Sequence, residues 1–179
     1  VILVSLDTLR ADHLGCYGYS RDTSPHLDAL AREGVLFERA VAQSTATLPS
    51  HRSLFQSRPA SKTGRRALSL ARILKDAGFQ TAAFTGGGNV AAKLGLDAGF
   101  DIYEEHPGGF TESFPPMESW LRSNGESPFF LFLHTYDIHL PYDPPPHSDR
   151  LFYPEYRGTV RGSGTRDLLR KVRGLPSKS

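Results

Sequence analysis

The sequence holds a single cysteine, Cys16, in 179 residues. One cysteine excludes an internal disulfide and a multi-cysteine metal site, and leaves the redox compartment open. No apolar run approaches the roughly 18 residues that a membrane-spanning helix needs. No internal repeat is visible. The first residue is Val, and an apolar run begins there with no lead-in. We therefore expect a chain cut at its N-terminus, in which the absence of a leader says nothing about export. A strong overall charge is also lacking, at +2, but that figure hides an asymmetry. Residues 157–179 carry seven basic side chains (Arg157, Arg161, Arg166, Arg170, Lys171, Arg173 and Lys178) against one acidic, Asp167, a local +6 that leaves residues 1–156 at −4. The basic stretch is rich in Gly and Ser. With no interleaved aromatics it reads as a solvated tail in preference to a nucleic-acid arm.

What is present is enough to bury one core: 39% of the residues are hydrophobic, and the length suits one domain. Val1 to Leu6 is a short, β-branched apolar run that reads as a strand buried on both faces. Phe79–Phe84 reads as a strand, and Phe129–Leu133 as a second fully buried one. Between them lie helical patterns. Ser24-Pro25 opens a helix with Leu27, Leu30 and Ala31 at helical spacing and Gly34 as its stop. A polar loop from residue 43 leads into a helix around Pro49. Ala67–Ala77 is amphipathic, with Leu68, Ala71, Ile73, Leu74 and Ala77 near one face. Pro115–Ser123 is a short helix carrying Trp120 and Leu121. Val35–Val41 alternates loosely and is a candidate strand. Helices alternating with buried apolar strands predict an α/β fold with a mainly parallel sheet sandwiched by helices.

Three segments can carry chemistry. Asp7 falls at the carboxyl end of the first strand, where open α/β sheets place their ligands. It is a metal or polar-ligand residue, or a cap on the following turn. Thr47-Leu48-Pro49-Ser50-His51 sets a hydroxyl beside a helix start, whose backbone N–H groups suit an anion; Thr47 or Ser50 is otherwise a helix cap. His134-Thr135-Tyr136-Asp137-Ile138-His139 leaves a buried strand with two histidines and an aspartate, a set able to bind metal or contact an anion.

In order along the chain, these segments resemble the N-terminal part of the sulfatase family, within the alkaline phosphatase superfamily. VSLDTLRADHLGCYGY is similar to the family's opening strand and metal-binding Asp. TSPHLDALAREGVLFERAVAQS resembles the family's next segment. TLPSHRSLFQS lines up with the signature Cys-x-Pro-Ser-Arg, an apolar pair and Thr-Gly. LKDAGFQTAAFTGGG, GLDAGFDIYEE and PFFLFLHTYDIHLPYDPP look like the subsequent blocks. The resemblance implies an alkaline phosphatase-like fold. It implies a hydrolase that uses one divalent metal ion, of the calcium, manganese or zinc kind, on sulfate or phosphate esters. Asp7 matches a metal ligand, and Thr47, at the nucleophile position, would share the ion. His139 matches the histidine that contacts the ester group. His51 stands where the signature has Arg and joins Thr47 and His139 in the candidate catalytic set. A second Asp found in some relatives is Thr8 here.

The departures shape the expectation. Thr47 occupies the cysteine position that sulfatases oxidise to formylglycine, and threonine has no route to that aldehyde. Cys16, in the GCYG turn, is no substitute. Other branches of the superfamily use threonine directly. The family's Gly-Lys-Trp-His block aligns with Thr85–Gly88 and is absent, and no Asp-His-Gly motif occurs. Residues 1–156 are therefore expected to be an incomplete N-terminal part of a sulfatase-like domain, with 157–179 a poorly packed tail. Two functions are consistent with this. One is a Thr-dependent phosphoesterase or phosphotransferase, such as a phosphoethanolamine transferase. The other is an inactive relative that binds anionic or sulfated ligands. The expected partner is a small-molecule, glycan-linked or lipid-linked sulfate or phosphate ester, and not nucleic acid. The family fits a periplasmic or extracytoplasmic setting, which the sequence itself does not specify.

Overall fold

A computed structural model describes residues 1–64, 67–142, 144, 148 and 151–157. Four strands, β1 (Ile2–Leu6), β2 (Gln80–Thr85), β3 (Ile102–Glu105) and β4 (Phe129–Thr135), form one sheet in the order β1-β4-β2-β3. Every pair is parallel. Parallel neighbours need crossover connections, and these supply helices α2 (Thr47–Gln56), α3 (Leu70–Asp76) and α4 (Phe110–Asn124). Helix α1 (Pro25–Glu33) belongs to the long excursion after β1.

The central strands explain the continuous apolar runs. In β4, Phe130 and Phe132 face one way and pack with Ala83 of β2, Phe55 of α2 and Ala71 of α3. Leu131 and Leu133 face the other way and pack with Ala82 and Phe84 of β2 and Met117 of α4. Both faces are buried, so alternation between apolar and polar side chains disappears. The sheet lies between helices, as the alternating pattern predicts. Among the described residues no helix is long and apolar enough to cross a membrane.

Several element boundaries differ from expectation. Val35–Val41 forms no strand. Val35, Phe37 and Val41 are 71–83% exposed, and the segment has no neighbouring strand to complete a ladder. Helix α3 is shorter than Ala67–Ala77 because Ser69 caps it, its hydroxyl accepting the Arg72 N–H at 3.2 Å. Leu68 and Ile73, expected on the buried face, are exposed. Helix α4 begins at Phe110, five residues before Pro115, and carries Pro115 and Pro116 inside it. A tertiary anchor sets its start: the Asp137 carboxylate accepts the Phe110 N–H at 3.1 Å, an acidic group at a helix N-terminus. Gly109 makes this approach with φ +76°, and a Cβ there would overlap Asp137. Strand β3 is an addition that periodicity did not reveal. The basic tail, beyond Arg157, lies outside the described residues.

Candidate active site

The parallel register brings the carboxyl ends of β1, β4 and β2 together. Ser5 lies beside His134 and Leu6 beside Thr135, while Phe84 lies beside Leu133. Asp7 comes directly after β1, its N–H bonded to the Thr135 carbonyl at 3.1 Å. Asp7, Thr85 and His134 thus emerge at one edge of the sheet, where ligands bind in open α/β folds.

Thr47 reaches this edge from the start of α2. Its hydroxyl donates to Asp7 Oδ2 at 2.9 Å. Thr47 is the first helical residue and not the cap; Ala46 holds the cap position and contributes no side-chain bond. The amides at the start of α2 therefore have no side-chain cap and suit an anion. A cavity of about 320 Å³ opens here, lined by Ser5, Asp7, Thr45, Thr47, Ser50 and His51 among others.

Two buried histidines underlie the Asp7–Thr47 pair. His134 is 1% exposed. The Gly86 N–H approaches its Nδ1 at 3.4 Å, which makes Nδ1 the acceptor and places the proton on Nε2. That Nε2 lies 3.6 Å from Asp7 Oδ2, too far for a hydrogen bond, and has no other partner among the described residues. Burial, and then the neighbouring His51, push the pKa of the His134 imidazole down to about 4, so it is neutral near pH 7. His51 is also buried. Its ring is bonded at both nitrogens, to Ser5 Oγ at 2.9 Å and to the Thr47 carbonyl at 2.8 Å.

His139 sits farther out, on the loop after β4. Its Nδ1 donates to the Leu140 carbonyl at 2.8 Å. It contacts neither Asp7 nor Thr47. A row of rings joins it to them instead: His51 to His134 at 5.1 Å, His134 to Tyr136 at 4.5 Å and Tyr136 to His139 at 5.5 Å between centroids. Asp137 leaves the cluster expected from the sequence, since its carboxylate serves the start of α4. Thr85–Gly88 carries no Lys or His. Tyr136 covers that turn, and a Cβ on Gly86 would meet its ring at 2.7 Å. Two further site residues, Ser5 and Tyr136, belong to none of the candidate catalytic or metal positions. Ser5 had a signal, as the one hydroxyl in an otherwise apolar strand.

The sulfatase family model matches residues 1–167. The chain belongs to the sulfatase family. Mouse steryl-sulfatase is 31% identical over 101 residues, 45% of this chain and 16% of the relative. Human N-sulphoglucosamine sulphohydrolase is 28% identical over 145 residues, 70% of this chain and 29% of the relative. The chain thus spans less than a third of the length of these relatives. The soluble domain of lipooligosaccharide phosphoethanolamine transferase A from Neisseria meningitidis shares the fold, with a TM-score of 0.70, 20% identity, and coverage of 97% of this chain and 61% of that one. This sulfatase-family domain therefore has both sulfatases and a phosphoethanolamine transferase as neighbours, and its fold is that of the alkaline phosphatase superfamily.

Members of the family are metalloenzymes. Among the described residues no three His, Cys, Asp or Glu side chains converge as a metal set. Asp7 and Thr47 fit a hard divalent cation in kind, a carboxylate and a hydroxyl oxygen meeting beside a polar cavity, and fall short of a full ligand set in number.

Proposed function

We propose that this domain provides the nucleophile half of a phosphoesterase or phosphotransferase site, with Thr47 as the attacking group. One observation carries the reading: the Thr47 hydroxyl, at the uncapped start of α2, donates to Asp7 at 2.9 Å. Asp7 and Thr47 would hold a divalent cation, whose coordination needs further ligands to complete it. Such an ion lowers the pKa of a bound hydroxyl and offsets charge on the transferred group.

The Thr47 oxygen bonds to phosphorus, the ester P–O bond breaks, and the alcohol leaves with a proton. The start of α2 binds the phosphoryl oxygens through its backbone amides. Water, or an acceptor alcohol, then attacks the threonine phosphoester and frees Thr47. A formylglycine hydrate can expel sulfate by collapsing to its aldehyde, whereas a threonine ester must be displaced, which favours phosphate over sulfate esters. A second reading, an inactive anion-binding relative, is supported by the Gly86–Gly88 turn, which Tyr136 covers and which offers no cationic side chain.

The test uses the intact protein. Thr47→Ala should abolish hydrolysis of p-nitrophenyl phosphate, Thr47→Ser should retain it, and acid quench should trap a phosphorylated peptide containing Thr47. Parent-level turnover by Thr47→Ala rules out the nucleophile. Faster turnover of p-nitrophenyl sulfate than of the phosphate rules out the substrate preference.

A further inference from the structure

We propose that His51 and Ser5 form a clamp that aims the Thr47 hydroxyl at Asp7, with His51 a positioning residue and not a catalytic one. The inference rests on the reading of Thr47 as nucleophile. A carbonyl oxygen only accepts, so the 2.8 Å contact between His51 Nδ1 and the Thr47 carbonyl requires the proton on Nδ1. The other ring nitrogen, Nε2, hydrogen-bonds to the Ser5 hydroxyl at 2.9 Å. Thr47 in turn donates to Asp7. Asp7 and Ser5 stand two residues apart at the end of β1. The four residues therefore close a ring of side-chain and backbone groups that ties β1 to the first turn of α2.

The ring has one soft joint. Ala46 gives no side-chain cap, and the direction of the Thr47 hydroxyl is set only as well as the backbone beneath it is held. His51 lies one turn along the same helix and grips that backbone at its carbonyl. The imidazole is itself fixed. It is buried, edge-on to Phe132 at 6.1 Å and to His134 at 5.1 Å, and Ser5 holds its far nitrogen. Ser5 lies within β1 and His51 within α2, and side chains on regular elements are placed more accurately than on loops.

Substitution separates a clamp from simple packing. Asn offers an amide N–H near the position of imidazole Nδ1, and Gln offers one near Nε2. In the intact protein acting on p-nitrophenyl phosphate, His51→Ala should lower kcat by about tenfold to a hundredfold, the usual penalty for a slightly misplaced nucleophile, with KM within about threefold. His51→Asn should recover most of that loss and His51→Gln little of it. Ser5→Ala should give a smaller loss of the same kind, and serves if His51→Ala fails to fold. Equal defects in the Ala and Asn variants, or a change confined to KM, would overturn the clamp. A nitrogen spectrum of histidine-labelled protein adds a readout that does not depend on turnover. It should show His51 protonated at Nδ1, and an Nδ1 without a proton overturns the clamp whatever Thr47 does. Full activity in Thr47→Ala alongside an Nδ1-protonated His51 would instead sink the nucleophile reading and leave the ring geometry standing.

Discussion

At the scale of single residues, the site is built from side chains held in specific states. His134 is kept neutral by burial, so the Asp7 carboxylate faces a polar N–H and not a second full charge. Thr8, directly after Asp7, has a backbone φ of +65°. A β-branched residue in the left-handed region is strained by about 1–2 kcal/mol, and such strain collects at functional sites. Here it turns the chain sharply at the end of β1, just where Asp7 must face Thr47. The Thr8 hydroxyl meets the Ile138 carbonyl at 3.3 Å, a weak compensation. Thr8→Gly should therefore leave stability within about 1 kcal/mol of the parent, since relief of strain offsets the added entropy of the unfolded chain. Thr8→Val keeps the strain, loses the hydrogen bond and should cost about 1 kcal/mol. Urea unfolding of the two variants checks this, and a Gly variant less stable than the Val variant would show that Thr8 is not strained in solution.

At the scale of elements, Asp101 shows how the sheet is pinned away from the site. Its carboxylate accepts the Thr81 N–H at 3.0 Å and the Thr81 hydroxyl at 2.9 Å, and it pairs with Lys75 Nζ at 2.5 Å. One side chain thus joins the end of α3 to the starts of β2 and β3. The Lys75 hydrogen bond, helped by the Thr81 donors, holds the Asp101 carboxyl below its ordinary value. A lowered carboxyl contributes stability above its unfolded pKa of about 3.9 and loses it as pH falls through the folded value. The melting temperature of the parent should exceed that of Asp101→Asn near neutral pH, and the gap should shrink as pH drops below about 4. A gap that widens in acid would contradict this. Such tertiary bonds also explain what the sequence did and did not reveal. Strand β4 was legible because burial on both faces leaves a continuous apolar run; β1 was legible by its β-branched run, although the expected burial on both faces fails, since it is an edge strand whose Ile2 and Val4 are exposed. Asp7 and Thr47 were legible because strand ends and helix starts have local signatures. Strand β3 was not, since four residues at an edge, half of them glutamates, carry no period. The true start of α4 depends on Asp137, 27 residues away, and Pro115 pointed elsewhere. Ser5 gave a hint as the one hydroxyl of its strand, but its partner His51 lies 46 residues away, and Tyr136 gains its place from the Gly86 turn it covers.

At the scale of the whole molecule, the helical cover over the sheet is uneven. Helix α4 shields Leu131 and Leu133 of β4 and Ala82 and Phe84 of β2 through Met117, Trp120 and Leu121. The same face continues onto β1, where Ile2 lies beside Leu131 and Val4 beside Leu133, yet Ile2 and Val4 remain 52% and 50% exposed. Strand β1 is also an edge of the four-stranded sheet, with one side of its backbone ladder unpaired among the described residues. A flat apolar edge of this kind pairs with other chains unless charge or cover prevents it. The 179-residue chain should therefore self-associate as its concentration rises, through β1. The opposite face of β1 carries Ser5, which bonds to His51, so a charge at Val4 enters neither the clamp nor the Asp7–Thr47 pair. Val4→Lys should shift the chain toward monomer in sedimentation velocity, with an unchanged far-ultraviolet circular dichroism spectrum. Phe37→Lys supplies the comparison. Phe37 is exposed on the loop at 35–41, which forms no strand, so that substitution removes apolar surface without touching an edge. If Phe37→Lys disperses the chain and Val4→Lys does not, association runs through the loop, and the edge of β1 is protected by something other than the charge it lacks.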